Sequence, residues 1–268
     1  MRIVTWNINS VRLRIELVAK MAKKLKPDII CLQETKCPND SFPTKSINKM
    51  GYEHVAINGI KGYHGVATLS KIAFTKTNII DYCGQKDGRH IETILDYGGA
   101  PLSLHNFYVP AGGDEPDRKI NEKFGHKLDF LNEMKRRLTK SKQKTSVQRI
   151  LVGDLNIAPY EDDVWSHKQL LKVVSHTPQE VELLEQVRKS HNWVDVARAF
   201  VPFEEKLYSW WSYRSKDWDA SNRGRRLDHI WVTPALEPQL KSYKIMREAR
   251  GWERPSDHVP VVLDLVSA

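Results

Sequence analysis

The sequence predicts one domain of the α/β or α+β class that spans residues 1–268. Short apolar runs typical of strands alternate with amphipathic stripes typical of helices along the whole chain. No linker, low-complexity tract or charge block divides the sequence, and 40% of the residues are hydrophobic, enough for a core. A length of 268 residues allows one large domain or two small ones, and the unbroken alternation favours one.

The chain opens with a strand, a helix and a second strand. Residues 2–8 carry the β-branched and aromatic side chains typical of a strand. Apolar residues recur at helical spacing from Val11 to Leu25, which predicts an amphipathic helix capped by Asn9 or Ser10. Residues 28–33 form another apolar run, so we expect a buried strand there.

The middle of the chain is richer in strands. Residues 52–57 and 66–69 are strand-like, and residues 90–96 and 102–109 predict a hairpin around two glycines. A second amphipathic stripe over residues 124–138 predicts a helix after a polar loop.

The last part of the chain repeats the pattern. The sequence Thr-Pro-Gln-Glu at 177–180 places a capping threonine, a proline and a glutamate in capping-box register, so a helix begins there. A helix is also expected over residues 165–174. Strands are expected over residues 150–152, 208–213, 226–232 and 259–266.

Charge and cysteine content narrow the class of protein. The chain has 42 Lys and Arg against 33 Asp and Glu, a net charge of +9, which favours polyanionic partners. Three cysteines without a CxxC pair indicate reduced thiols and argue against a disulfide scaffold or a zinc site. No run of 18 apolar residues and no signal-peptide core are present, so we expect a cytoplasmic protein with no membrane partner.

One stretch, RILVGDLNIAPY at residues 149–160, carries the most chemistry. Its apolar run predicts a buried strand, and Gly153 interrupts that run. In an extended chain Asp154 and Asn156 share a face, so a carboxylate and an amide would project together past the strand end. Such a pair could hold a metal, a water or a phosphate. Alternatively, Gly-Asp-Leu-Asn is an ordinary turn, because these residues are common in turns.

Other predicted strands also end in polar side chains suited to phosphate chemistry. The full set is Asn7, Glu34, Tyr108, Asp154, Asn156, Asp228, Asp257 and His258. Taken singly, Tyr108 fits a half-buried core phenol, and Asp228 with His229 fits a surface pair. Because several separate strand ends carry compatible groups, we favour a shared site.

These residue types suit hydrolysis of a phosphodiester. Magnesium prefers oxygen ligands, commonly one or two carboxylates with phosphate and water, and Glu34 suits that role. Asp154 could take a proton from water, while a histidine held by an aspartate stabilises phosphoryl oxygens. A Gly-Asp metallophosphatase would also need a Gly-Asn-His element, which is absent. A P-loop and a G-x-S-x-G elbow are absent too.

The order of these motifs resembles a known family over nearly the whole chain. They are TWNINSVR (5–12), DIICLQETK (28–36), GYHGVATLSK (62–71), YVPAGG (108–113), GDLNIAP (153–159), RRLDHIWV (225–232) and SDHVPV (256–261). The chain resembles exonuclease III-type apurinic/apyrimidinic (AP) endonucleases of the endonuclease/exonuclease/phosphatase superfamily. The resemblance implies a DNase I-like four-layer sandwich, in which helices flank two packed mixed β-sheets. The active site would lie at one end.

The resemblance also implies roles for the strand-end residues. The metal would be Mg²⁺, with Mn²⁺ able to replace it, and Glu34 would be its main ligand. Asp154 would activate or position the attacking water, and Asp228 would pair with the histidine. Tyr108 and Asn156 would contact the scissile phosphate. The full metal set implied is Asn7, Glu34, Asp154, Asn156, Asp257 and His258, and His258 would also stabilise the phosphate.

The segment 206–226 is expected to contact DNA. It contains six basic and five aromatic residues, a mixture that suits phosphate contacts and base stacking. By resemblance, Trp210 would line the pocket for a flipped-out abasic sugar. Arg225 departs from the family, where that position is usually apolar or aromatic. Arg214 and Arg89 complete the candidate DNA contacts, whereas Trp211 and Tyr213 are expected to belong to the core.

The activity implied is that of a Mg²⁺-dependent DNA repair nuclease. It would cut the backbone 5′ to an abasic site, trim blocked 3′ ends and act as a 3′→5′ exonuclease. Its partner would be double-stranded DNA with abasic sites or blocked 3′ ends, and the protein would be a monomer. Two alternatives stay open: a phosphoesterase for a small phosphate ester, and a non-catalytic nucleic-acid binder with the same fold.

Overall fold

Two six-stranded sheets form the centre of the computed structural model, which describes residues 1–142 and 148–266. The strands are β1 (Arg2–Asn7), β2 (Ile29–Gln33), β3 (His54–Asn58), β4 (Val66–Ser70), β5 (Phe74–Asn78), β6 (His90–Tyr97), β7 (Ala100–Tyr108), β8 (Gln148–Asp154), β9 (Val194–Asp195), β10 (Trp210–Trp211), β11 (Gly224–Arg225), β12 (Asp228–Val232), β13 (Leu240–Ile245) and β14 (Val261–Leu265).

Helices lie between the strands along the chain. They are α1 (Ile15–Leu25), α2 (Thr44–Lys49), α3 (Glu122–Lys142), α4 (His167–Leu170), α5 (Pro178–Ser190), α6 (Val196–Phe200) and α7 (Trp218–Ser221). Short 3₁₀ turns are Asn39–Ser41, Tyr82–Gly84, Glu161–Asp163, Pro234–Gln239 and Arg247–Gly251. No helix within the described ranges is both long and apolar enough to cross a membrane.

The topology brings the polar strand ends to one edge. The first sheet has the order β13-β14-β1-β2-β4-β3 and the second β5-β6-β7-β8-β12-β9, while β10 and β11 form a small ribbon. In each sheet the two middle strands, β1 with β2 and β7 with β8, run parallel. The carboxyl ends of each parallel pair therefore lie side by side. The antiparallel neighbour β12 starts where β8 ends, since Asp228 pairs with Asp154.

Apolar layers hold the sheets and helices together. Ile3 and Ile29 of the first sheet pack with Leu104, Ile150 and Ile230 of the second in a fully buried layer between the sheets. Helix α1 covers the outer face of the first sheet, and helices α3 and α5 cover that of the second. The predicted four-layer sandwich is confirmed.

Several local predictions are wrong. The helix expected to be capped by Asn9 or Ser10 begins only at Ile15, because both residues have left-handed φ angles of 47° and 86°. The backbone N–H of Ser10 instead donates to the carbonyl of Glu34 at 2.7 Å. The helix expected over 165–174 contains only the single turn α4, and the strand expected over 208–213 contains only β10.

Four strands were not anticipated: the two-residue strands β9 and β11, and the edge strands β5 and β13. The edge strand β5 has the sequence FTKTN, of which the three middle residues are exposed, so it lacks an apolar run. The other edge strand, β13, is likewise no more than half-buried along its length. Edge strands with a polar surface give little periodic signal. The single-domain prediction over 1–268 stays a prediction, and residues 143–147 and 267–268 lie outside the described part.

Candidate active site

Asn7 links the two sheets at the shared edge. It ends β1, its side chain is fully buried, and its amide nitrogen donates to Oδ2 of Asp154 at 2.9 Å. The same nitrogen donates to Oε1 of Glu34 at 2.9 Å. One amide therefore holds a carboxylate from each sheet, which places both acidic groups in one cluster.

Glu34 follows β2 in a left-handed conformation, with φ of 49°. Its Oε1 also accepts from the Tyr108 hydroxyl at 2.9 Å, and its Oε2 lies 2.8 Å from the Lys36 ammonium. Burial alone would raise the pKa of Glu34, but Lys36 and the Asn7 amide lower it below its ordinary value. The carboxylate therefore stays ionised beside the cluster.

Asp154 ends β8, and the glycine before it makes the strand possible. Gly153 has φ of +138°, and a Cβ there would lie 1.9 Å from the carbonyl oxygen of Phe107. Only glycine lets β8 approach β7 so closely. The Asp154 carboxylate accepts from Asn7 and from the backbone N–H of Asn156 at 2.9 Å. Burial raises the pKa of Asp154 to about 7, although His258 opposes the rise.

His258 is held between two aspartates. Its Nδ1 lies 2.8 Å from Oδ2 of Asp228, and its Nε2 lies 3.7 Å from Oδ2 of Asp154. Burial alone would lower the pKa of His258, but the carboxylates of Asp228 and Asp154 raise it to about 10. Ser209 fixes this pair because its hydroxyl donates to Oδ2 of Asp228 at 2.7 Å. At neutral pH the site therefore contains a fixed imidazolium.

Asn156 and Tyr108 lie beside these groups. Asn156 has φ of 54°, and its amide nitrogen donates to the Val109 carbonyl at 2.9 Å. The buried Lys127 ammonium donates to the Asn156 carbonyl at 2.8 Å. Tyr108 is buried, and burial raises the pKa of its phenol well above the ordinary value, so the hydroxyl keeps its proton.

The donor set fits a hard divalent cation. Carboxylate oxygens of Asp154 and Asp228 lie within 4.8 Å of each other and of a ring nitrogen of His258, which would bind a metal only as the neutral imidazole. Among the residues that the structure describes, Oδ1 of Asp228 is buried and has no hydrogen-bond partner. Carboxylate oxygens are the ligands that magnesium and calcium prefer. A metal ion could therefore be held here, with Glu34 adjacent.

Asp257 accepts hydrogen bonds from residues outside that cluster. Its Oδ2 accepts from the Trp210 indole N–H at 3.0 Å, and its Oδ1 accepts from the Asn9 amide at 3.1 Å. Arg89 is also oriented inward: it is buried, its Nη2 lies 2.9 Å from Nε2 of His64, and its guanidinium lies 4.9 Å from the Tyr108 ring centroid. The side chains of Asp257 and Arg89 therefore both contact other residues of the protein.

A cavity of about 880 Å³ opens from the cluster toward the basic and aromatic segment. Its lining includes Glu34, Tyr108, Asn156, Asp257, His258, Trp210, Arg214, Arg223 and Arg225. A second cavity of about 520 Å³, next to Arg188 and Trp193, contains none of the strand-end groups.

The aromatic residues of the segment divide between core and surface. The prediction of a core role is correct for Trp211, which is 2% exposed, and wrong for Tyr213, which is 48% exposed. Tyr213 lies beyond the two-residue strand, where the chain has turned outward. Asp228 and His229 are buried, which excludes a surface pair.

Sequence reasoning missed three residues that support the site: Lys36, Ser209 and Lys127. Lys36 lies within the DIICLQETK motif, so its proximity to Glu34 was accessible from the sequence. Ser209 gave no signal, because a serine beside a tryptophan pair has no distinctive spacing. Lys127 lies on the apolar face of α3, between Phe124 and Leu128, which is an unusual place for a lysine.

A two-sheet sandwich with carboxylates, amides and an aspartate-bound histidine at its strand ends defines a class of phosphoester hydrolases. The chain belongs to the endonuclease/exonuclease/phosphatase family, whose profile matches residues 4–258. The resemblance seen in the motifs is confirmed.

Relatives and solved structures agree with this family. Exodeoxyribonuclease III of Haemophilus influenzae is 31% identical over 272 residues, covering 97% of this chain and 98% of that protein. An AP endonuclease structure from Archaeoglobus fulgidus has a TM-score of 0.90 at 31% identity, covering 99% of both chains. The 3′ phosphatase NExo from Neisseria, bound to a product DNA hairpin, has a TM-score of 0.89 at 27% identity, covering 99% of both chains.

Proposed function

We propose that this protein is a DNA repair nuclease that hydrolyses the phosphodiester 5′ to an abasic site. The products would be a 3′-hydroxyl and a 5′-deoxyribose phosphate. The same site would trim blocked 3′ ends and remove nucleotides in the 3′→5′ direction. The observation that carries the proposal is the convergence of Glu34, Asp154 and His258 from two sheets at the mouth of a basic, aromatic cavity.

Glu34 and Asp154, with Asn7 and Asn156 close by, would hold Mg²⁺ or Mn²⁺. When bound, the cation supplies Lewis-acid stabilisation of the phosphoryl charge. Asp257 would support the metal site indirectly, because its oxygens accept hydrogen bonds that hold the Trp210 indole and the Asn9 amide in place. Among the described residues, Oδ1 of Asp228 is buried without a hydrogen-bond partner, which supports the binding of a cation beside Asp228.

The protein side chains would supply proton transfer and stabilisation of the phosphoryl charge. Asp154 would accept a proton from the attacking water, because burial raises the pKa of its carboxyl and so favours the protonated form. The His258 imidazolium, held by Asp228, faces the phosphoryl oxygens and stabilises the charge that develops on them. Tyr108 and Asn156 would contact the same phosphate once the Tyr108 hydroxyl turns from Glu34 and the Asn156 amide from Asp154. The His258 imidazolium, by contrast, is held in place by Asp228.

The cavity would receive the flipped-out abasic nucleotide of a duplex. A nucleotide without a base loses little stacking when it leaves the helix, which favours damaged sites over intact ones. Trp210 and Arg225 form the wall of this pocket, and the exposed Arg214 lies on its rim, where it would contact phosphates. Arg89, whose guanidinium is buried, would act by holding Tyr108 in place. We propose a cytoplasmic monomer.

The test is a 5′-labelled duplex with one tetrahydrofuran abasic analogue, incubated with Mg²⁺ or with EDTA. The proposal predicts a single cut on the 5′ side, a 3′ end that a polymerase extends, and no product in EDTA. A cut on the 3′ side would contradict it. Phosphate release from small esters without DNA cleavage would favour the phosphoesterase alternative, and salt-sensitive binding without cleavage would favour the non-catalytic binder.

A further inference from the structure

Arg225 occupies the cavity wall beside Trp210. The two residues pair across the ribbon of β10 and β11, and the guanidinium lies 5.3 Å from the Trp210 ring centroid. Trp210 also bridges to the backbone of His258. Trp210 therefore lies between Arg225 and His258, the residue whose imidazolium would face the phosphate.

The guanidinium of Arg225 has spare donors and no anionic partner. Its Nη1 donates to the Val174 carbonyl at 3.0 Å and to the Ser175 hydroxyl at 2.7 Å, whereas its Nε is buried without a partner in the described ranges. No carboxylate of residues 1–142 or 148–266 lies within 4.0 Å of it. The Glu180 charge acts on it from farther away, but that carboxylate is bonded to Lys127.

A partly desolvated cation without a counter-charge is unfavourable unless a ligand supplies one. The same wall carries the exposed Arg214 and Arg223, and neither forms an ion pair with a described residue. Of the three carboxylates that line the cavity, Glu34 and Asp257 already have donors, and the exposed Asp114 forms no ion pair with a described residue. The wall around Arg225 therefore favours an anionic group over an uncharged sugar.

Two substrates of the proposed nuclease differ in charge at this place. An internal phosphodiester carries one negative charge. On the pocket side its phosphorus is joined through an ester oxygen to the neutral abasic sugar. A 3′-terminal phosphate monoester carries a charged oxygen there and approaches two charges at neutral pH. In both cases water oxygen attacks phosphorus and the P–O3′ bond breaks. The O3′ atom leaves as a hydroxyl with a proton, and the monoester releases inorganic phosphate.

We propose that Arg225 is a specificity-determining residue that directs this site toward a 3′-terminal phosphate of DNA, at the expense of the internal abasic sugar. The inference rests on the proposed function, because it uses the same phosphate site. A guanidinium is suited to this role, since its planar fork matches phosphate oxygens and is always charged.

The test compares kcat/KM for two duplexes, one with a nick that ends in a 3′-phosphate and one with an internal tetrahydrofuran. The measured quantity is the ratio of phosphate release to incision. Arg225→Leu should lower 3′-phosphate removal by about ten- to hundredfold more than it lowers incision, so the ratio of phosphate release to incision falls by that factor. Arg225→Lys, which keeps the charge, should retain most of the wild-type ratio.

Arg223→Leu is the matched control. Its guanidinium lies on the same wall over Trp165, 4.6 Å from the ring centroid, and its loss should change both activities by the same factor. If Arg225→Leu lowers the melting temperature strongly, Arg225→Met keeps the aliphatic stem against Trp210 and is measured instead.

The outcomes separate the two proposals. An Arg225→Leu protein that loses both activities equally, or neither, would overturn the role of Arg225 and leave the nuclease assignment standing. A wild-type protein that processes neither duplex with Mg²⁺ would overturn both.

Discussion

The amide nitrogen of Asn7 lies 2.9 Å from a carboxylate oxygen of Asp154, and this hydrogen bond joins the ends of two strands from opposite sheets. The two residues are 147 positions apart in the chain. Because the same nitrogen also binds Glu34, it bridges two carboxylates that would otherwise repel each other.

Replacing Asn7 with Ala should therefore lower kcat by about ten- to hundredfold. This factor corresponds to the free energy of one hydrogen bond to a charged group. The measurement is single-turnover incision of the abasic duplex. Asn192→Ala is the control, since Asn192 is exposed and lies away from the cluster. Wild-type rates in the Asn7 variant would show that the bridge has no role in the reaction.

Asp228→Asn tests the role of the negative charge on Asp228, because asparagine has nearly the same shape and no charge. Without the Asp228 carboxylate the pKa of His258 falls from about 10, so less imidazolium is present at neutral and alkaline pH. We expect kcat to fall ~100-fold, as when one fixed donor to a developing oxyanion is removed. NMR titration of the His258 ring in metal-free protein measures the pKa directly, and Asp40→Asn, at an exposed site, is the control. An unchanged ring pKa would contradict the assignment.

Lys127→Met should affect both stability and activity. The Lys127 ammonium is fully buried, pairs with Glu180 and donates to the Asn156 carbonyl. Removing one partner of a buried pair destabilises a protein by about 3–5 kcal/mol, because the other charge is left without compensation. Urea unfolding measures this loss, and kcat measures the effect on Asn156.

The double variant Lys127→Met with Glu180→Gln tests the cause. It should be less destabilised than Lys127→Met alone, since no unpaired charge is left in the core. A double variant that loses the sum of two separate effects would indicate that the pair is not coupled.

His105 should make the protein less stable in mild acid. It is buried, its Nδ1 lies 3.1 Å from Nε2 of His90, and Glu92 lies 3.6 Å away. Burial lowers the pKa of His105 from 6.5 to about 4 despite the Glu92 carboxylate. The unfolded chain then binds a proton that the native state excludes, so the contribution of His105 is full above pH 6.5 and is lost as the pH falls toward 4.

The size of this loss is about 3 kcal/mol in the free energy of unfolding. His105→Gln removes the proton uptake, so its stability should fall less steeply with pH than that of the wild type over the same range. Guanidinium unfolding at several pH values checks this. Equal slopes in the two proteins would show that His105 is not the group responsible.

The parts of the site that follow from local periodicity were predictable. Glu34 could be placed at a strand end because it follows an apolar run. Asp154 and Asn156 do lie together, but through a turn and not on one extended face, because β8 ends at Asp154 and Asn156 has φ of 54°. The capping box at Thr177 was predictable as well, since its hydrogen bonds join residues three apart. Local rules suffice where the partners are neighbours in the chain.

Contacts between distant elements were not predictable in this way. Arg89 was expected to contact DNA, and the packing of β6 against β7 buries its guanidinium over Tyr108. Asp257 was expected near the metal from the resemblance alone, and its contacts with the Trp210 indole and the Asn9 amide could not be foreseen. Lys127 was not among the predicted site residues, because its contact with Glu180 depends on how α5 packs against α3. Each of these outcomes depends on how sheets and helices pack, which one sequence does not determine by pattern alone.

The central claim is that Glu34 and Asp154 serve one metal-assisted hydrolytic site. The most direct measurement is incision of the 5′-labelled abasic duplex by wild type and by Glu34→Ala over a titration of Mg²⁺. We expect wild type to cut on the 5′ side only when Mg²⁺ is present, and the variant to need far more Mg²⁺ or to show no cleavage, while its melting temperature stays close to that of the wild type. Equal cutting by the two proteins at every Mg²⁺ concentration would contradict the account.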